Sequence, residues 1–494
     1  MASKTLIPDT PLNRKVLNFY LKDNKAYKVP GTDKYNISAI PNPINWATRY
    51  YGLTPDGTFT KKAFCHSNGS IYVGSDTGQS LTEVETGLSE KGNPESVTMQ
   101  VAGRSRMYFF NGYDTPRHYE GNVDGKFTES GLSYKFVQGI VHNERLWAFE
   151  RNSSRLYYSR VGDPENFTST YGGNLLIGNE VDSYIRRIIK LGEYIYVFKN
   201  NGIFRIEGNT QSTYSPVEVV PNKGLIAQKA VCKVRNALVF VCQQDREIYQ
   251  FGGNEYSLEI LTPTRYPFSD KVDSTSTDTM CCIEDTRNKF FRLSYKNKEA
   301  DVVVNNHEVG FYTAETGSDG KPKWFETKGA RIGCYSMWDR QGDFTLVTGC
   351  SDVGRLMYHN RSSNWDDEPM VCKLRLDKFI PKDGYNAQFD GIFIKGSPSS
   401  GTFTLRTYLN ERLETNSTSS SQTIDDKGET TAIGSINLPT QERFYNYIPL
   451  LTGYNYGENI GIEIYDNTAD KEIMIEEIVV YYTVRSKMAN NLIG

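Results

Sequence analysis

A pair of strand-like runs recurs along this chain and constrains its fold more than any other feature. Each copy has a short apolar run after a polar turn, and an aromatic-rich run follows about ten residues later. The apolar runs lie at residues 71–73, 107–110, 146–149, 195–198, 238–241, 290–293 and 344–346. Because their spacing is uneven, roughly 36 to 54 residues, the repeat predicts four-stranded blades with loops of different lengths.

The turns and partner runs favour strands that are buried on one face. Asn or Gly occurs in the turns at 67–70, 142–145, 191–194 and 234–237, and both residues tolerate the positive φ of two-residue hairpin turns. A single blade cannot bury both of its faces, so stacking blades around an axis builds the core. We therefore expect an all-β chain with an irregular β-propeller of six to eight blades, seven being favoured. A pair of ordinary sandwiches is the alternative.

The repeat of paired runs ends near residue 370, and a different pattern of strand-like runs begins. Six strand-like runs with Gly-rich turns follow, which predicts a C-terminal β-sandwich of jelly-roll type. The expected organisation is an N-terminal arm at 1–30, the propeller at 31–365, the sandwich at 370–486 and a tail at 487–494. Residues 25–31 are expected to supply a strand that closes the propeller, and the polar segment 416–431 is expected to be an exposed loop.

Charge and composition exclude several classes of function. The 56 basic and 59 acidic residues give a net charge of −3 without long runs of one sign, whereas a nucleic-acid reader needs clustered Lys and Arg. A nearly neutral surface is compatible with DNA passing by without recognition. Neither a secretory signal nor a membrane-spanning segment is found, so folding in a cytoplasm is expected. The eight scattered Cys are expected to be free thiols.

The sequence contains no motif for catalysis, cofactors or metals. The five His, at 66, 118, 142, 307 and 359, do not have the spacing of a zinc site, and phosphate-binding glycine loops are absent. We therefore predict no enzymatic activity, no cofactor and no metal.

Residues 74–81, GSDTGQSL, resemble the Asp-box turn of sialidase-like propellers. Asp76 and Gly78 suit a structural turn better than catalysis. A glycan-binding or glycan-cleaving propeller, sialidase-like or lectin, is the alternative function. A cellular interaction scaffold is disfavoured because the repeat is irregular.

One segment is more specific, SRLYYSRVGDPENF at 154–167, an aromatic strand that leads into a turn. Asp163 can cap this turn, Pro164 fixes the backbone angle φ at its position, and Phe167 is expected to pack in the core and so anchor the turn. Gly162 completes the set of predicted structural turn residues. The stretch resembles a recurrent one in structural proteins of tailed-bacteriophage virions.

The wider order of features is similar to the tail nozzle or tail-hub family of short-tailed bacteriophages, the packaged-DNA stabilisation proteins. The likeness rests on Val29-Pro30-Gly31, on residues 188–208 and on residues 219–253. It implies a structural virion protein that forms a homohexameric ring below the head-to-tail adaptor, extends the DNA channel and retains the packaged genome until ejection.

The same resemblance implies a set of partners. These are further copies of the chain, the adaptor ring, a tail fibre or tailspike, a tail needle or plug, and DNA that passes through the lumen without sequence recognition. The protein is then expected in the virion tail, assembled in the bacterial host cytoplasm.

Overall fold

The computed structural model describes residues 2–5, 16–23, 25–54, 57–75, 78, 80–168, 170–179, 183–262, 267–299, 304–317, 320–340, 343–359, 364–365, 369–376, 379–382, 385–398, 401–409, 412–413, 432–438, 444–449, 456–467 and 472–487. Across these residues the regular structure is β-strand, apart from the short 3-10 turns Glu255–Ser257, Phe268–Asp270 and Thr277–Thr279. The all-β prediction is confirmed. The segment 416–431 and residues 488–494 of the predicted tail lie outside the described residues.

The strands of the N-terminal part are β1 (Ala2–Thr5), β2 (Val16–Leu17), β3 (Phe19–Lys22), β4 (Lys25–Lys28) and β5 (Thr32–Lys34). The strands of the repeat region are β6 (Trp46–Leu53), β7 (Phe59–Ser67), β8 (Ser70–Ser75), β9 (Leu81–Glu85), β10 (Glu95–Val101), β11 (Arg104–Phe110), β12 (Arg117–Tyr119), β13 (Thr128–Glu129), β14 (Phe136–His142), β15 (Arg145–Glu150), β16 (Arg155–Tyr158), β17 (Gly173–Leu176), β18 (Ile185–Leu191), β19 (Tyr194–Lys199), β20 (Gly202–Glu207), β21 (Ser215–Pro221), β22 (Val231–Val234), β23 (Ala237–Val241), β24 (Ile248–Phe251), β25 (Leu258–Ile260), β26 (Cys281–Asp285), β27 (Phe290–Tyr295), β28 (His307–Thr316), β29 (Pro322–Lys328), β30 (Ile332–Arg340), β31 (Asp343–Cys350) and β32 (Leu356–His359).

Consecutive strands of the repeat region form four-stranded sheets. Their orders are β6-β7-β8-β9, β10-β11-β12-β13, β14-β15-β16-β17, β18-β19-β20-β21, β22-β23-β24-β25, β26-β27-β28-β29 and β30-β31-β32-β5. We number these sheets blade 1 to blade 7 and call the first strand of each its inner strand. Seven such sheets in chain order, counted over the described residues, are the arrangement of a β-propeller.

Hairpin turns set the register within the blades. The backbone is left-handed at Asn68 and Gly69 between β7 and β8, and at Asn143 and Glu144 between β14 and β15. Two consecutive residues with positive φ match the right-handed twist of the flanking strands. The turns predicted at 67–70 and 142–145 are therefore confirmed.

Buried clusters extend from one blade to the next. The cluster that contains Trp147 and Phe149 of blade 3 also contains Ile188 and Val197 of blade 4. Similar clusters join blades 1 and 2, blades 2 and 3, and blades 7 and 1. At these four junctions each blade therefore covers the face of its neighbour, as the repeat predicts.

The strand that closes the propeller differs from the prediction. Ala26 and Tyr27, within the predicted segment, pair with Ile475 and Met474 of β41, while the next strand, β5, completes blade 7. The chain continues along β32, because the Tyr35 amide donates to the Leu356 carbonyl at 2.8 Å. Asn36 adds a side-chain bond, since its Oδ1 accepts from the Leu356 amide at 2.7 Å. The closing strand is thus residues 32–34 rather than residues 25–31.

The remaining strands are β33 (Cys372–Arg375), β34 (Tyr385–Pro398), β35 (Gly401–Leu409), β36 (Arg412–Leu413), β37 (Ala432–Leu438), β38 (Phe444–Pro449), β39 (Tyr456–Gly457), β40 (Ile460–Asp466) and β41 (Ile473–Lys487). One sheet has the order β3-β4-β41-β34-β38, with β1 added on β41 and β39 added on β34. A second sheet has the order β2-β33-β40-β35-β36, with β37 added on β35. The jelly-roll topology stays a prediction.

The chain forms two compact units that interleave in sequence. One unit comprises residues 1–33, 309–329 and 360–494, and the other comprises residues 34–308 and 330–359. The predicted boundaries treated each domain as one continuous segment. The N-terminal residues join the C-terminal sheets because β1 and β4 pair with β41.

Candidate functional site

The inner strands of the propeller surround a cavity of about 300 Å³. Its lining includes one side chain from each of six inner strands, namely Thr48, Glu95, Arg187, Cys232, Cys282 and Tyr335. The β18 lining position follows a bulge in the pairing between Ile185 and Arg187. A bulge re-aims the side chains of a strand, so Arg186 and Arg187 do not follow simple alternation.

Ion pairs and hydrogen bonds cross this cavity from blade to blade. Arg187 Nη1 lies 2.6 Å from Glu95 Oε1, which connects blade 4 to blade 2. The same nitrogen donates to the Gln228 carbonyl at 3.0 Å. Lys229 Nζ donates to the Asn45 carbonyl at 2.9 Å, and this bond connects the start of blade 5 to blade 1. Arg187, Glu95 and Lys229 therefore connect separate blades across the cavity.

A buried ion pair within blade 6 is bonded to blade 7. Arg292 Nη1 lies 2.8 Å from Glu308 Oε2, and both side chains are fully buried. The other carboxylate oxygen of Glu308 accepts from the Tyr335 hydroxyl at 2.7 Å. Burial and the adjacent Glu308 raise the pKa of Tyr335 well above its usual value, so its hydroxyl stays a donor.

Lys199 is a buried cation that joins blades 3 and 4. Its Nζ donates to the Ile177 carbonyl at 2.6 Å, to the Asn179 carbonyl at 2.7 Å and to Ser154 Oγ at 3.0 Å. A buried ammonium is costly unless its donors are used, and here three oxygens from blade 3 accept them. No sequence motif predicts this role, because Lys199 is simply the last residue of an apolar strand, β19.

The predicted turn residues Gly162, Asp163, Pro164 and Phe167 follow β16 and form one loop. Gly162 has a φ of 70°, and its amide donates to the Glu144 carbonyl at 2.8 Å. The amide of Asp163 donates to the Arg160 carbonyl, which tightens the turn. Phe167 is buried, and its ring centroid lies 5.2 Å from that of Phe136. The structure brings these residues together around a backbone turn.

Glu165, in the same loop, was missed by the sequence reasoning. Its carboxylate accepts from the Tyr108 hydroxyl at 2.9 Å, from Arg106 Nη1 at 3.1 Å and from the Gly131 amide at 3.0 Å. Burial raises the pKa of Tyr108, which stays a donor to Glu165. The loop therefore attaches blade 3 to blade 2. In the sequence, Glu165 looks like an unremarkable turn residue.

The Asp-box-like turn is described in part. Asp76 lies outside the described residues. Gly78 has a φ of 86°, and a Cβ there would lie 2.7 Å from the Tyr35 carbonyl oxygen. Ser75 Oγ donates to the Gly78 carbonyl at 3.1 Å, and the Tyr35 hydroxyl donates to the Ser75 carbonyl. These contacts hold the turn against the segment that closes the propeller.

Histidines and thiols in the propeller are shifted towards their neutral forms. Burial, helped by Lys229, lowers the pKa of His66 to about 4. Burial, followed by the Arg292 charge, lowers the pKa of His359 well below its usual value. Burial also raises the pKa of Cys334 and of Cys242 to about 11. All eight Cys are free, and five are buried.

Across the residues that the structure describes, no three or more His, Cys, Asp or Glu side chains form a group that could hold a metal ion. The same residues include no helix that is long and apolar enough to span a membrane.

Comparison with known proteins gives structural likeness only. No family model and no curated protein match the chain. The extracellular domain of a putative one-component system from B. thetaiotaomicron is 11% identical with a TM-score of 0.36; the match covers 76% of this chain and 45% of that one. BBS1N in complex with ARL6DN is 9% identical with a TM-score of 0.41, covering 70% and 98%. A chain of the mitotic checkpoint complex is 11% identical with a TM-score of 0.40, covering 71% and 94%. At these scores the matches carry no argument about function.

Proposed function

We propose that this chain is a structural virion protein, a subunit of the tail nozzle or hub of a short-tailed bacteriophage. In this proposal six copies form a ring below the head-to-tail adaptor, extend the DNA channel and retain the packaged genome until ejection. The sequence resemblance motivates it. Residues 188–208 and 219–253, which carry that resemblance, fall on blades 4 and 5.

The use of buried charge supports this proposal best. Lys199, Glu308 and Arg292 are fully buried. Lys199 bonds from blade 4 to blade 3, and the Arg292–Glu308 pair of blade 6 accepts a hydrogen bond from Tyr335 of blade 7. Buried ion pairs add little net stability compared with apolar packing, yet breaking one is costly, so they fix a geometry. A framework whose buried charges hold blades in register suits a protein that must keep its shape under load.

The mechanism in this proposal is mechanical. Each subunit holds a fixed wall segment, and ring closure creates the lumen. DNA passes without sequence recognition. This agrees with the net charge of −3 and with the lack of clustered Lys and Arg in the sequence. The adaptor ring, a tail fibre or tailspike, and a tail needle or plug are the proposed partners.

Native mass spectrometry and cryo-electron microscopy test the proposal. The full chain is measured alone and with a purified head-to-tail adaptor ring, and the adaptor alone is the control. We expect a sixfold ring of 56.0 kDa subunits bound to one end of the adaptor. Monomers alone, even with adaptor present, would contradict the proposal.

The alternative, a glycan-binding or glycan-cleaving propeller, has one observation in its favour. A cleft lined by Arg151 and Arg186 opens on the propeller. A glycan array and a fluorogenic glycoside assay separate the two functions. Turnover that is abolished by Asp76→Ala would favour the hydrolase.

A further inference from the structure

A second cavity of about 450 Å³ lies at one end of the propeller. It is formed where the inner strands of blades 2 to 6 begin, and its lining includes Tyr113, Arg151, Asn152, Tyr184, Arg186 and Asp278. Loops at the ends of rigid strands are favoured positions for binding residues. The volume suits a ligand of sugar or nucleotide size.

Arg151 offers a guanidinium to this cleft. Its charge lies 4.6 Å from the ring centroid of Tyr113, so the ring supports the guanidinium plane from one side. Among the described residues, no hydrogen bond or ion pair to the Arg151 side chain is present. The adjacent Asn152 is exposed, and its side-chain amide likewise has no partner among those residues. The donors of both side chains are thus available to a ligand.

Arg186 places a second guanidinium in the cleft. It stacks at 4.8 Å from the Tyr184 ring centroid. Arg186 Nη1 lies 3.2 Å from Asp278 Oδ1, and the Asp278 side chain is 75% exposed. An exposed ion pair of this kind is weak, so an incoming anion can share or replace the Asp278 carboxylate.

Hydrogen bonds that do not involve Arg151 or Arg186 fix the floor of the cleft. Asn93 Nδ2 donates to the Asp278 carbonyl at 3.1 Å, and Gln228 Nε2 donates to the Asn93 carbonyl at 3.1 Å. Asn111 Oδ1 accepts from the Tyr113 amide at 3.0 Å, which fixes the ring beneath Arg151. Sites with positions fixed before binding lose less entropy when a ligand arrives.

We propose that this cleft binds a small anionic saccharide, a sugar that carries a carboxylate or phosphate group. Arg151 and Arg186 bind the oxyanion, since guanidinium forks match the geometry of both groups. Asn152 contributes an amide for sugar hydroxyls. Arg151, Arg186 and Asp278 together carry a net charge of +1, opposite in sign to the whole chain.

This inference does not depend on ring formation. If the chain forms a ring but binds no sugar, the saccharide proposal fails and the nozzle proposal stands. If the chain binds a sugar as a monomer, the saccharide proposal stands and the nozzle proposal fails. Native mass spectrometry reports the ring, and calorimetry reports the ligand.

The test is isothermal titration calorimetry on the full chain. The probes are glucuronate, glucose 6-phosphate, inorganic phosphate, neutral glucose and a short DNA duplex. We expect binding of glucuronate or glucose 6-phosphate and none of glucose. The two charged sugars distinguish a carboxylate from a phosphate as the preferred group.

Three substitutions within the cleft move affinity in opposite directions. Arg151→Gln and Arg186→Gln should each weaken binding by about tenfold or more, because each removes a charge-assisted hydrogen bond. Asp278→Asn should strengthen binding about threefold, since it removes a competing carboxylate from Arg186. A substitution that merely damaged the fold would not strengthen binding.

Arg160→Gln is the matched control. Arg160 is also exposed and stacks 4.7 Å from the centroid of the Tyr171 ring, but it does not line the cleft. Its replacement should leave the affinity unchanged, and thermal unfolding of every variant should match that of the unmodified chain.

Several results would overturn the inference. These are the absence of binding to both charged sugars, equal binding of glucose, and full affinity in the Arg151→Gln and Arg186→Gln variants. Binding of inorganic phosphate without either sugar would overturn the saccharide assignment. Binding of the duplex alone would assign the cleft to nucleic acid instead.

Discussion

The propeller sheets and the two sheets that contain β40 and β41 are built by opposite rules of connectivity. In the propeller, β6 to β29 pair in the order in which they are synthesised, and only the seventh blade borrows a distant strand. In the sheet that contains β41, by contrast, β1 and β4 pair with β41, so residues near both ends of the sequence share one sheet. Local pairing costs little loop-closure entropy, whereas pairing of distant segments costs more.

The difference teaches where each region is vulnerable. A blade depends on its own hairpins and on the polar bonds to its neighbours. The sheet around β41 depends on segments that are more than 400 residues apart, as the pairing of Lys25 Nζ with Glu476 at 3.0 Å illustrates with a separation of 451. A substitution can therefore disrupt pairing between neighbouring strands of a blade without affecting pairing between distant segments, or the reverse.

The largest effect is expected where a buried charge loses its partner. Arg292→Met removes the buried cation that neutralises the Glu308 carboxylate, so the free energy of unfolding should fall by about 3 to 5 kcal/mol. Denaturant titration measures this loss. The double variant Arg292→Met/Glu308→Gln should recover part of it.

An exposed pair provides the matched control. Arg331 Nη1 lies 2.7 Å from Asp352 Oδ2, and the Arg331 side chain is 57% exposed. Arg331→Met should cost less than about 1 kcal/mol. Equal losses for Arg292→Met and Arg331→Met would show that burial of the Arg292–Glu308 pair does not add to its effect on stability.

The next effect tests pairing between distant segments. Leu21 is buried in β3, so Leu21→Ala should cost roughly 2 to 4 kcal/mol. Hydrogen exchange should quicken along β41, which pairs with the β3–β4 hairpin through β4.

Leu238→Ala is the counterpart within the propeller. Leu238 is fully buried in β23, whose partners are β22 and β24. Exchange should quicken in blade 5 and stay unchanged in β41. If hydrogen exchange became faster over the whole chain in both variants, the two regions would not differ in how they depend on local and distant pairing.

The third effect depends on pH. His66 is neutral in the folded chain because its pKa is about 4, below the usual 6.5, so the unfolded chain binds more protons between these values. Stability from this group is complete above pH 6.5 and is lost as the pH falls towards 4. The loss at pH 5 should be about 2 kcal/mol.

Equilibrium unfolding at pH 7 and pH 5 measures it. His66→Gln removes the titrating group, so the variant should lose about 2 kcal/mol less than the original chain on acidification. An identical pH dependence in both proteins would contradict the assignment.

The smallest effect concerns one hairpin. Asn68 has a φ of 45°, so Asn68→Ala should cost about 1 kcal/mol through backbone strain. Asn68→Gly should restore stability to within about 0.5 kcal/mol, because glycine accepts positive φ. Thermal unfolding measures both. Equal stability of the two variants would mean that the turn does not set the blade 1 register.

The sequence repeat predicted the middle strands of the blades well. Six of the seven apolar runs became second strands, and the run at 71–73 became the third strand of blade 1. The second strand of that blade, β7, reads FTKKAFCHS, and its polar first half hides it from an apolar pattern. The closing strand Thr32–Lys34 carries no apolar pattern at all, so its partner could not be predicted.

Most of the site residues could not be predicted from local patterns. The turn around Gly162 was visible because Gly, Asp and Pro restrict the backbone. Glu165, Lys199 and Arg151 were not visible, because their roles depend on groups in other blades or in other loops. Spacing within one segment carries no record of such partners.

The bond between Asn36 and Leu356 closes the propeller across 320 residues of sequence. At typical translation rates a ribosome needs roughly 15 to 60 s to add that length. Throughout that interval the segment after β5 has no partner strand, so the nascent chain presents an open sheet edge to its surroundings. Until the last blade leaves the ribosome, only packing of the early blades or a bound chaperone would cover these unpaired backbone groups.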